Sequence, residues 1–124
     1  MSLDHFLIEA MQTAGKALIR KVFTSSDATI TLTVDQQICL TDSTSNVGTV
    51  VLPPVAEARG KLYSIIDIGP AGAGSAGTNT VTLTDNNDDS HDASWGDISI
   101  NADLDRALLY SDGIAWWVIS DMFT

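Results

Sequence analysis

The chain has 124 residues, the length of one domain, and 44% of them are hydrophobic, so it is neither disordered by composition nor too short for a core. Sixteen acids against six bases give a formal charge of −10, which argues against nucleic-acid binding. The single cysteine, Cys39, excludes an internal disulfide framework, and no run approaches the roughly 20 apolar residues of a membrane span.

The first 25 residues read as a helical arm. Leu3, Leu7, Met11, Ala14, Leu18 and Val22 recur at steps of three and four, one stripe of an α-helix. Ser2 stands where a cap is needed, and Lys16, Arg20 and Lys21 complement the dipole near the end. Phe6, Ile8, Ala17 and Ile19 widen the apolar surface, so the helix needs burial on more than one side. It packs on its own body or docks on a neighbouring protein, and the hinge-like Ser25-Ser26-Asp27 favours docking. The opening stretch lacks the basic start and unbroken apolar run of a signal peptide, so the expected compartment is a cytoplasm.

Beyond Asp27 the period changes to two, and residues 26–124 read as one β domain. Ile30, Leu32 and Val34 alternate with threonines, as in a half-buried strand. Further strands are expected at 38–40, 49–52, 61–68, 80–84, 98–100, 107–111 and 115–120. Pro53-Pro54 stops the third, and Ser111-Asp112-Gly113 makes a hairpin turn of the last two. Gly69 to Gly77 reads as a flexible loop. Eight short strands without long intervening helices predict a mainly β protein: an antiparallel sandwich, jelly roll or small barrel carrying an N-terminal amphipathic helix.

The stretch from Val47 through Leu52-Pro53-Pro54 and Ala58-Arg59-Gly60-Lys61 to Ile68 resembles a segment recurrent in tailed-phage virion proteins. There a Leu-Pro strand end is followed by an Arg-Gly-Lys strand entry. Asn79 to Leu83 and the ending Leu109 to Ser120 are similar to the same pattern, so the resemblance spans most of residues 28–120. It implies a non-enzymatic structural protein of the virion, assembled in the host cytoplasm. The type implied is a homotrimeric head-decoration (cement) protein on the major capsid protein, or a tail-fibre-like module binding a receptor or glycan. The arm lies outside it.

Chemistry-bearing motifs are sparse, and no cofactor is expected. Asp85, Asn87 and Asp89 fall at positions 1, 3 and 5 of a calcium loop, but Ser90 replaces its glycine and Gly96 its bidentate glutamate. A solvated acidic loop is the expectation. His91 beside Asp92 has only the distant His5 as a second histidine, short of a zinc set. Cys39 lies between apolar neighbours, as a buried small hydrophobe would. Ser111-Asp112 has no Gly-x-Ser-x-Gly elbow, and Gly72, Gly74 and Gly77 lack the Lys-Ser/Thr of a phosphate loop. Trp116-Trp117 is more informative. Adjacent strand residues face opposite ways, so one tryptophan anchors the core and the other faces an interface. The interface candidates are therefore Leu7, Met11, Lys16, Leu18, Arg20, Lys21, Trp116 and Trp117, with neither nucleic acid nor membrane as partner.

Overall fold

The computed structural model describes residues 17–88, 90 and 97–122. Among these described residues nine strands follow in chain order: β1 (Leu18–Val22), β2 (Thr29–Thr31), β3 (Ile38–Asp42), β4 (Gly48–Val51), β5 (Leu62–Asp67), β6 (Val81–Thr84), β7 (Ile98–Ile100), β8 (Arg106–Ser111) and β9 (Trp116–Met122). They form a five-stranded sheet in the order β1-β3-β5-β8-β9 and a four-stranded sheet in the order β2-β4-β6-β7. From β1 to β6 the chain alternates between the sheets with every strand. Leu18 pairs with Ile38 and Thr29 with Thr49, so the first full turn takes 20 residues in both sheets. The next turn is longer, because the connections before β5 and β6 carry extra residues: Ile38 pairs with Ser64, and Gly48 with Val81. The result is a short flattened coil of the β-helix kind.

This corrects the expected antiparallel architecture. β1-β3-β5 and β2-β4-β6 are parallel, and among these nine strands antiparallel pairing is confined to β5-β8, β8-β9 and β6-β7. Parallel neighbours need a crossover, usually a helix. Here a strand of the other sheet serves as the crossover, which period-two patterning cannot distinguish from a meander.

The helix expected to reach Val22 is corrected too. Residues 18–22 are β1, paired with β3, so Leu18, Arg20 and Lys21 sit on a strand. Pairing and core contact outweigh the helical spacing of Leu18 and Val22: Ile19 turns inward onto the core, while Leu18, Arg20 and Val22 point out. Leu7, Met11 and Lys16, and the rest of the arm to residue 16, lie outside the described residues.

The core is built of columns. Ile19, Cys39, Ile65 and Ala107 line up across the five-stranded sheet, and Ile30, Val50, Leu83 and Ile98 across the four-stranded one. Trp116 and Tyr63, both fully buried, meet edge to face with ring centroids 5.3 Å apart. Phe23 is fully buried with its ring against the backbone of Gly48, where a Cβ would overlap the ring carbons. Gly113, at φ +90°, completes the β8–β9 turn, and Asp112 ties it by accepting from the N–H groups of Ile114 and Ala115, each at 2.8 Å.

Candidate functional site

The buried polar groups are engaged in holding loops. Asp67, at the end of β5, is fully buried. Its Oδ2 accepts from the N–H groups of Ser75, Ala76 and Leu104 at 2.8, 2.9 and 3.1 Å, and its Oδ1 from Ser75 Oγ at 2.7 Å. The glycine-rich segment is therefore anchored rather than free: Ser75 and Ala76 are buried, and Gly77 N–H donates to Asp103. Ser75 Oγ also accepts from Ser43 N–H at 2.9 Å, so the same knot joins the loop to the end of β3. The glycines permit this path, with positive φ at Gly69, Gly72 and Gly74.

The acidic stretch is spent in the same way. Asp85 Oδ1 accepts from Asn87 N–H and Oδ2 from Ser90 N–H, at 3.2 and 2.9 Å. Asp88 Oδ2 accepts from Val55 N–H at 2.9 Å, and its Oδ1 takes the Ser90 hydroxyl. The Asp85 carboxylate, at the first calcium-like position, thus faces backbone donors, and no cluster of three possible metal ligands occurs among the described residues. Asp89, His91, Asp92 and Gly96 lie outside those residues, as does His5.

The other motifs also take structural roles. Ser111 Oγ donates to Val55 O at 2.7 Å and accepts from Gly113 N–H, so it holds the hairpin base. Cys39 is fully buried, and burial pushes its thiol up to about 12, the opposite of an activated nucleophile. Asp112 is held below the usual carboxylate range, first by the Ala115 N–H and then by Trp117 Nε1–H and the Ile114 N–H. A wide hollow of about 390 Å³ opens beside the four-stranded sheet, lined by Thr31, Val51, Thr84, Asp85, Asn86 and Asn87. It offers hydroxyls and amides without a nucleophile–base pair among those residues.

The two outer sheet surfaces differ in chemistry. That of the four-stranded sheet carries Thr29, Thr31, Thr49, Thr82, Thr84 and Ser99, interrupted by Val51. That of the five-stranded sheet is largely apolar. One row across it holds Leu18, Ile38, Ser64 and Leu108; a second holds Leu62, Tyr110 and Trp117; a third holds Arg20, Leu40, Ile66 and Arg106. Leu18, Leu62 and Trp117 each remain close to half exposed. At the edge, a bulge between Leu108 and Leu109 leaves Ile119 unpaired and 57% exposed.

Of the candidate interface residues, this surface carries Leu18 and Arg20 at its β1 edge and Trp117 at its opposite, β9 edge. Trp117 points out, and its Nε1 donates to Asp112 at 2.8 Å, whereas Trp116 is core. Lys21 is turned to Asp27, 2.6 Å away. Ile38, Leu62, Leu108 and Tyr110 escaped the sequence reading. Their signal was present in β3, β5 and β8, where apolar residues run on successively instead of alternating, as in strands with both faces covered. No family model matches the chain, and no curated protein matches it.

Proposed function

We propose that the protein is a non-enzymatic structural component of a tailed-phage virion, most simply a trimeric cement protein that stabilises the capsid lattice. The observation that carries this reading is the apolar outer surface of the five-stranded sheet, on a body whose buried polar groups tie loops together. Contact surface, rather than a reactive centre, is what such a molecule offers. The resemblance of residues 47–68, 79–83 and 109–120 to phage virion segments supplies the context. The mechanism is added interface: a small area buried per copy, repeated over a symmetric shell.

The test is co-sedimentation with phage heads lacking their decoration, together with sedimentation of the free protein. Saturable binding to the heads by a species of three times the chain mass is expected. A protein that neither self-associates nor binds heads overturns the reading. The polar hollow at Thr31, Thr84 and Asn86 favours a second reading, a tail or head-fibre module that binds a receptor or glycan. Binding to host cells or a glycan array, lost in Asn86→Ala and absent on heads, would select it.

A further inference from the structure

We propose that residues 1–16 of this same chain close the open end of the coil, lying as an amphipathic helix across the edges of β1 and β2. A cap of this kind is needed whatever the body binds.

The two core columns end differently. Their middle layers are sealed: Cys39 and Ile65 in one sheet, and Val50 and Leu83 in the other, are fully buried. Towards one end the columns run to Ala107 and Ile98, 2% and 8% exposed. At the other end Ile19 and Ile30 are only partly buried. They are the inward residues of β1 and β2, the terminal strands of their sheets, and neither strand has a further strand beside it among the described residues. A coil left in this state exposes apolar core and a row of backbone groups, which is why terminal turns of stacked folds need a cap. The cap that fits is apolar, because the bases of β1 are already engaged. Lys21 Nζ lies 2.6 Å from Asp27 Oδ1, and the Arg20 guanidinium donates to the Gly69 and Pro70 carbonyls at 3.4 Å.

The segment that meets these needs is joined to that very end. Residues 1–16 lead through Ala17 into Leu18, the first residue of β1. At helical spacing Leu3, Leu7 and Ala14 fall in line, with Phe6, Ala10 and Met11 beside them in an arc of about 140°. His5, Glu9, Gln12 and Lys16 take the opposite side, and Ile8 is the exception. A helix of this length is about 24 Å long and about 10 Å wide. The end to be closed measures about 10 Å between the sheets and about 17 Å along the strands. The helix therefore spans it with a turn to spare for the return into β1. The hinge expected at Ser25-Ser26-Asp27 is instead the closed turn between β1 and β2, where Thr24 and Asp27 exchange both backbone hydrogen bonds at 3.0 and 3.1 Å. The arm therefore starts from the coil end itself. So short a tether gives it an effective concentration there that a separate partner does not match.

The experiment is paramagnetic relaxation in the isotope-labelled full chain, with a nitroxide on Gln12→Cys, the polar side of the arm. Cys39 is fully buried and does not compete for the label. The amide signals of Leu18–Val22 and Thr29–Thr31 should broaden most, and those of β7 and β9 least. Adding Leu7→Asp and Met11→Asp should abolish that pattern and lower the melting temperature by several degrees, whereas Gln12→Asp should leave the melting temperature unchanged. If the aspartate variant fails to fold, the labelled parent arm decides alone. Strongest broadening at Tyr110 and Trp117 would put the arm on the outer face of the five-stranded sheet and overturn the proposal. Broadening without a localised maximum would overturn it too. So would equal broadening in a mixture of nitroxide-bearing chains with isotope-labelled chains that carry no nitroxide, since the cover would then be a neighbour's arm.

Discussion

Removing the carboxylate of Asp67 tests the knot that joins β3, β5 and the glycine-rich loop. In Asp67→Ala, three backbone N–H groups lose their acceptor, those of Ser75 and Ala76 in a buried place and that of Leu104 in a partly buried one. Ser75 Oγ–H has an alternative in Ser43 Oγ, 3.3 Å away, so it is left out of the sum. Each stranded buried donor costs about 1–3 kcal/mol. Water entering the vacated space offsets part of that, so about 3–5 kcal/mol is expected, a large share of a typical 5–15 kcal/mol domain stability. Asp67→Asn is the control. Its amide oxygen can take the place of Oδ2 and keep the three N–H bonds, while its NH2 group donates to Ser75 Oγ. It loses only the extra strength of bonds to a charged acceptor, about 1–2 kcal/mol. Urea unfolding followed by tryptophan fluorescence measures both. An alanine variant within about 1 kcal/mol of the parent, or an asparagine variant as damaged as the alanine one, would refute the assignment of the loop's order to this carboxylate.

Gly48→Ala should cost about 3 kcal/mol or more by pushing the buried Phe23 ring off its seat, and thermal melts should show Phe23→Leu recovering part of the loss in the double variant. Burial pushes both Cys39 and Tyr63 up to about 12, with Asp35 adding to the shift at Tyr63. Both stay neutral in the fold, whereas the unfolded chain ionises them from about 8.5 and about 10. Stability is therefore full below about pH 8.5 and falls as pH rises toward 12, and a melting-temperature series should show a smaller fall in Cys39→Ala. Asp112 is shifted the other way, so its contribution is present above the unfolded value of about 3.9 and lost as pH falls through its lower folded value. The Trp117 indole N–H resonance should titrate there, and in Asp112→Asn it should not.

Strand positions were legible because alternation of Thr with Ile, Leu and Val is a local property. Eight of the nine strands lie where patterning puts them, from Thr29–Thr31 to Trp116–Met122. β1 was not, because Leu18 and Val22 continue a helical spacing and only pairing with Ile38–Asp42 makes them a strand. Strand direction was illegible for a related reason: a residue's face says nothing about the sense of its neighbour. The opposed faces of Trp116 and Trp117 followed from adjacency alone. The role of Asp67 did not, since it depends on Ser75 folding back eight residues later and on Leu104 arriving from a distant loop. The expectation of a flexible glycine-rich loop failed at the same point: composition reports the freedom of a backbone and not the acceptor that removes it.

The 20-residue turn shared by both sheets makes the architecture extensible. A duplicate of residues 18–37, inserted ahead of β3, would offer each sheet one more parallel strand in the same register and lengthen the stack by about 4.8 Å. The added turn would bring its own inward Ile19 and Ile30 to continue both core columns, leaving the closing strands β7, β8 and β9 undisturbed. Length in this molecule is thus an adjustable quantity, set in steps of one coil, so the same surface chemistry can be repeated along a taller stack without redesigning its end.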